Sequence, residues 1–215
     1  MPRKWLIALH AVFCIAHGNA RHHYDSDEHD EEAAWKCAQI VADYFSNSED
    51  LKSYYVEDYS ESSGGNRLNV KHASLSGFYD IVAEEADLVH KRSVSELTMV
   101  LEVPELELSS YDLLEGKGGS HKWLHVNTAA KNVRFRLGIR YDNRGIEVFD
   151  CSCEGYDRPS VYIEENVAQN QKKVVSELSK SIFAAVLKRT VPQALSLVGA
   201  EVGLLDQLIA HDRYS

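Results

Sequence analysis

The chain has 215 residues, 44% of them hydrophobic and 26% charged, with a formal net charge of −10. That length suits one domain with a core of its own, so disulfides are not essential to folding. The acidic balance argues against nucleic acid as a partner and against electrostatic docking on anionic membranes.

Residues 1–20 read as a secretory signal peptide. Arg3 and Lys4 give a positive start, Trp5 to Ala16 is an apolar run interrupted by His10, and Gly18, Asn19 and Ala20 close it with small residues. The run is too short to anchor the chain in a bilayer. Cleavage is expected after Ala20, with Ala16 and Gly18 as alternative cuts. Loss of Arg3 and Lys4 would take the net charge to −12 and leave a secreted, extracellular chain.

Residues 21–32 are acidic and histidine-rich, and their only apolar residue is Tyr24; they are expected to form a disordered arm. A mature chain beginning Arg21-His22-His23 would offer an amine, two amides and an imidazole in a square, a donor set for Cu(II) or Ni(II). His22 and His23 are therefore candidate metal residues, against the alternative of a solvated tail.

The remainder, 33–215, reads as a single domain. A helix is predicted from Glu31 to Ser46, with Ala34, Cys37, Ile40, Val41 and Tyr44 on one apolar face. Asn47 to Asn66 is polar and reads as a flexible connection, with Tyr54, Tyr55 and Tyr59 inside it and Ser62-Ser63-Gly64-Gly65 near its end.

From Leu68 to Ile163 the pattern is almost entirely that of strands. Leu68, Val70 and His72 share a face, and Leu75, Gly77, Tyr79 and Ile81 continue on a bent strand. Leu97, Met99, Leu101 and Val103 alternate with Thr98, Val100 and Glu102; Pro104 then breaks the ladder or marks an edge. Leu106 and Leu108 follow, then a loop at Gly116, Gly118 and Gly119, then Trp123, His125 and Asn127 alternating with Leu124 and Val126. The clearest hairpin sets Val133, Phe135, Leu137, Ile139 and Tyr141 on one face. Asp142-Asn143-Arg144-Gly145 is its turn. Ile146, Val148 and Asp150 alternate with Glu147, Phe149 and Cys151, and a last strand lies near Val161 to Ile163.

From about Glu165 the period becomes helical, with Val167, Val174, Val175, Leu178, Ile182, Phe183, Val186 and Leu187 on one stripe and Pro192 kinking or ending it. No transmembrane segment is expected: Pro192, Gln193, Glu201, Asp206 and Gln207 interrupt the apolar run from Val191 to Ala210. The class is α+β. A strand block between two helical blocks, in a secreted chain, suggests a sheet wrapped round a long helix.

Cys37, Cys151 and Cys153 remain after the signal, an odd number in an oxidising compartment. A disulfide from Cys37 to Cys151 or Cys153 would tie the first helix to the sheet. Nothing in the chain carries a catalytic motif: no nucleophile elbow, zinc-protease helix, phosphate loop or dinucleotide fingerprint occurs. No cofactor is expected. Arg134, Arg136 and Arg140 form a ladder that reads as pairing with carboxylates such as Glu102 or Glu147, the alternative being a grip on an anionic head group. His121 and His125 flank Trp123 and read as a surface pair.

Several segments together resemble a known superfamily. They are Ala73 to Gly77, Leu97 to Leu108 with Tyr111, Lys131 to Leu137, and the helical Ile182 to Leu197. The region from Leu68 onward is similar to the single-domain tubular lipid-binding proteins of arthropods. That superfamily includes juvenile-hormone-binding and takeout-like proteins and the mite group 7 allergens, relatives of bactericidal/permeability-increasing protein. The cysteines depart from the insect hormone-carrier arrangement.

The resemblance implies a strongly curved antiparallel sheet wrapped round the long C-terminal helix, preceded by an N-terminal helix. It implies an interior lined by Leu97, Met99, Leu101, Val133, Phe135, Leu137, Ile139, Leu178, Ile182, Phe183 and Val186. The expected function is secreted binding of a lipid or other apolar small molecule, not catalysis. The alternative is a protein- or surface-binding factor, immune or host-interacting, that uses the same scaffold without a ligand.

Overall fold

The computed structural model describes residues 27–91, 94–117, 119–142 and 145–214; at 27–30, 90–91 and 197–214 the backbone alone is described. Helix α1 (Asp27–Ser46) and the single turn α2 (Glu49–Lys52) precede β1 (Tyr54–Val56), β2 (Tyr59–Ser63) and β3 (Asn66–Ser76). A 3₁₀ turn (Phe78–Asp80) leads to β4 (Val82–Lys91), β5 (Val94–Glu115), β6 (His121–Asp142), β7 (Gly145–Gly155) and β8 (Ser160–Ile163). Helix α3 (Gln169–Tyr214) closes the described chain.

The strands form one eight-stranded antiparallel sheet in the order β1-β3-β5-β6-β7, with β2 also on β3, β4 on β5 and β8 on β6. Its spine is the β5–β6 hairpin, whose strands are 22 residues each. At the usual rise each would reach roughly 70 Å if straight. Two neighbours divide β5 between them: β4 pairs with Val94–Glu102 and β3 with Glu107–Glu115. On the other side, β7 takes 134–142 of β6 and β8 takes 126–129.

Helix α1 packs on β4 and β5, whereas α3 packs on β7, β8 and β6 and also on β1, β2 and β3. Both helices and the inward side chains of the strands belong to one buried apolar cluster. The helices thus cover the side of the sheet that the alternating Leu, Val and Phe positions make apolar, which is why isolated amphipathic elements assemble at all.

Several local expectations change. Residues 27–32 of the expected disordered arm are helical, as the described part of α1. The signal peptide and the rest of the arm lie outside the described residues. The polar stretch after α1 contains α2, β1 and β2, with Tyr54 and Tyr59 partly buried against the core. Strand β3 stops at Ser76 because Gly77 has φ +120, and a Cβ there would lie 2.2 Å from the Glu105 carbonyl oxygen.

His72 leaves the apolar face: it sits at φ 49 in a bulge between Lys71 and Ser74, so Ala73 and Leu75 take the inward positions. A second bulge at Phe149 shifts β7, so Asp150 points out and Cys151 and Cys153 point toward the core. The Phe149 ring covers Gly138, where a Cβ would lie 2.7 Å from it. Pro104 does not break β5, and Pro192 lies within α3 rather than ending it.

Candidate functional site

Eleven side chains expected to line the interior are all buried in the one apolar cluster. Direct cross-strand partners set four rows: Leu97 with Ile139, Met99 with Leu137, Leu101 with Phe135, and Val103 with Val133. The first three rows extend onto β4 through Leu88, Ala86 and Ala83. Three extend onto β7, where Val148 faces Ile139, Cys151 faces Leu137 and Cys153 faces Phe135. From α3 come Leu178, Ile182, Phe183 and Val186, and Phe183 meets Tyr156 edge-on at 6.3 Å between centroids. Burying a side chain of this size stabilises by about 1.5–3 kcal/mol.

The expected disulfide is not formed: Cys37, Cys151 and Cys153 are free thiols. Cys37 lies on α1, which packs over β4, while Cys151 and Cys153 lie on β7 at the other end of the four-strand rows. Three strand spacings are about 14 Å along the sheet, whereas a bridge needs Cα atoms roughly 4.4–6.8 Å apart. Burial pushes the Cys37 and Cys151 thiols up to about 12. Both remain protonated at neutral pH and act as small apolar groups.

The other half of the sheet differs. Its inward positions on β5 are Leu106, Leu108, Ser110, Asp112 and Leu114, and on β6 Leu124, Val126, Thr128 and Ala130. Across the strands Tyr59, Val70, Asp112 and Leu124 form one row. The Tyr59 hydroxyl at its end lies 2.8 Å from Thr190 Oγ1 of α3.

Asp112 is only 1% exposed, and neither carboxylate oxygen has a hydrogen-bond partner. Burial pushes its carboxyl up to about 7. The neighbouring Ser110 hydroxyl donates to the Val126 carbonyl oxygen at 3.2 Å. Asp112 is not among the residues expected to line the interior. Its signal was there: Asp112 shares a parity with Leu106, Leu108 and Leu114 on a single strand.

The outer face carries charge and aromatics. Arg134 pairs with Glu84 at 2.8 Å and Glu85 at 3.0 Å, Arg136 with Glu154 at 2.6 Å, and Arg140 with Glu96 at 3.0 Å. The arginine ladder is thus paired with carboxylates; Glu102 also lies directly opposite Arg134 and feels its charge, and Glu147 lies directly opposite Arg140. Tyr111 stacks on Trp123 at 4.9 Å and lies 4.6 Å from His125, whose Nδ1 is 3.2 Å from Glu165 Oε1. His121 and His125 join no metal-ligand cluster, and among the described residues no group of histidine, cysteine or acidic side chains is arranged to hold a metal. His22 and His23 lie outside the described residues. Among those described, no helix is long and apolar enough to cross a membrane.

No protein-family model matches the chain, and no curated protein matches it in sequence. Solved structures do match in fold. The crystal structure of lipopolysaccharide binding protein superposes on 79% of the chain with a TM-score of 0.54 at 12% identity. The chain shares the fold of part of that protein. It spans 40% of the length of the matched structure. A looser likeness joins 71% of the chain to 77% of Takeout 1 from Epiphyas postvittana, with a TM-score of 0.39 and 12% identity.

Proposed function

We propose that this chain is an extracellular, non-enzymatic binding protein for a lipid or other apolar small molecule, held between the sheet and α3. The observation that carries the reading is the arrangement of the interior. Apolar rows run along both halves of a hairpin whose strands are 22 residues each, and they meet a long helix along one stripe. The fold shared with part of a protein named for binding lipopolysaccharide supports the same class of function.

Curvature belongs to this reading. Helix α3 packs on β7 and β8 and also on β1, β2 and β3, which favours a sheet that wraps the helix rather than lying flat beneath it. An apolar chain would lie along the helix, lined by the Leu97–Ile139 and Leu101–Phe135 rows on one side and by Ile182 and Phe183 on the other.

The test is organic extraction of protein secreted from eukaryotic cells, followed by mass spectrometry. A co-purifying lipid near one per chain is expected. A clean extract, together with failure to bind any apolar probe, would reject the reading. One observation favours the protein-binding alternative: Trp123 is 45% exposed and Tyr162 is 64% exposed on the outer face. Exposed aromatics of this kind occur at protein interfaces.

A further inference from the structure

We propose that Asp112 is the polar anchor of the interior and receives the ammonium head of a long-chain amine, with Ser110 beside it as a second acceptor. The inference rests on the binding-protein reading above and names the ligand class within it.

A carboxylate inside an apolar core is costly unless something pairs with it. Asp112 has nothing of the kind: it is 1% exposed and both oxygens lack a partner. It is held inward by its strand, because Leu108 and Leu114 on the same face of β5 are buried. Turning Asp112 outward would require a slip that exposes both leucines.

Among the described residues, its row and its strand neighbours offer no cation. Val70 faces it from β3 and Leu124 from β6, while Ser110 and Leu114 flank it along β5. The titratable group in its row is Tyr59, whose hydroxyl is engaged with Thr190 of α3. Ser110 has already committed its proton to the Val126 carbonyl oxygen. What remains on both Ser110 and Asp112 is lone pairs.

Two neighbouring groups with lone pairs to offer and no cation beside them among the described residues are complementary to a group that only donates. A primary ammonium has three N–H donors, a positive charge and no acceptor. A fatty acid or phosphate head brings the wrong sign, and an alcohol brings one donor without charge. The alkyl chain would then run from Asp112 into the apolar rows of the other half of the same hairpin.

The experiment uses the full mature chain with Nile red as the reporter of interior binding. Dodecylamine, dodecanol and dodecanoate compete for it at concentrations below their micelle thresholds. At about pH 8.5 Asp112 is ionised and the amine keeps its proton. Dodecylamine should then displace the dye at a concentration about tenfold or more below that of dodecanoate. The preference should shrink at about pH 5.5, where the carboxyl is protonated. Asp112→Asn should remove the preference for the amine, bringing the displacing concentrations of dodecylamine and dodecanoate together.

Equal ranking of the three heads by the native protein, or a preference for dodecanoate, overturns the anchor while leaving the binding-protein reading intact. The pH comparison on native protein decides the matter even if Asp112→Asn fails to fold. Failure of every competitor and of Nile red itself overturns both.

Discussion

Pro104 and Asn132 face one another across the central hairpin, between the Val103–Val133 and Glu105–Lys131 pairs. Here both strands reverse the side that points inward. On β5 the buried positions change from Leu97, Leu101 and Val103 to Leu106, Leu108 and Leu114. On β6 they change from Leu124, Val126 and Ala130 to Val133, Phe135 and Leu137. Asn132 makes the reversal at φ 51, and its side-chain amide donates to Asp157 Oδ2 at 2.8 Å. Pro104 has no N–H to lose, and it falls where β4 has ended and β3 has not begun to pair.

Asn132→Val should therefore destabilise the protein by about 1–3 kcal/mol, because a β-branched residue resists positive φ. Asn132→Gly should be milder, losing the Asp157 bond but relaxing the backbone. Urea denaturation of both variants checks the order; equal losses would count against it.

Gly77→Ala should be worse still. Its Cβ would fall 2.2 Å from a backbone carbonyl oxygen, and Gly77 sits at φ +120. Neither the strand nor the carbonyl can yield cheaply, so a loss above about 2 kcal/mol is expected. A melting temperature within a degree or two of the parent would refute this.

Asp112 makes stability depend on pH in an unusual direction. Its folded pKa is near 7, against an ordinary 3.8. Between those values the folded chain holds a proton that the unfolded chain has released. Stability is therefore greatest below about pH 4 for this group alone and falls as pH rises toward about 7. The loss persists above that and amounts to at most about 4 kcal/mol. Asp112→Leu should be more stable than the parent at about pH 8, and the difference should vanish in acid. Parallel pH profiles for the two proteins would sink the claim.

Free thiols can be counted directly. Peptide mapping under non-reducing conditions should recover Cys37 unpaired, and iodoacetamide should label it in the folded protein far more slowly than in urea. Burial and a pKa of about 12 both suppress the thiolate. A Cys37–Cys151 or Cys37–Cys153 peptide would overturn the free-thiol state of all three cysteines.

Phe135→Trp probes the proposed interior. Phe135 is fully buried between Leu101 and Cys153. If a ligand lies against it, the larger ring should lower Nile red affinity several-fold in a protein that still folds. In a solid core the same change would cost about 1–3 kcal/mol, and the parent itself would bind no dye.

By itself, the sequence determined the class, the central hairpin and the apolar stripe of α3. Alternation at Leu97–Val103 and Val133–Ile139, and the spacing of Leu178, Ile182, Phe183 and Val186, are local periods that survive without knowledge of neighbours. Strand β4 escaped notice because Glu84, Glu85 and Asp87 mask it, and its partly buried faces are Ala83 and Ala86, made inward only by the α1 that crosses them. The short strands β1 and β2 likewise exist only as partners of β3. The tertiary structure alone decided the phase changes at His72, Phe149 and the Pro104–Asn132 crossing. A bulge or a left-handed residue shifts a period by one, and only pairing with the next strand shows on which side each side chain then lies. That decision put His72 outside, Cys151 and Cys153 inside as free thiols, and the unpaired carboxylate of Asp112 in the core.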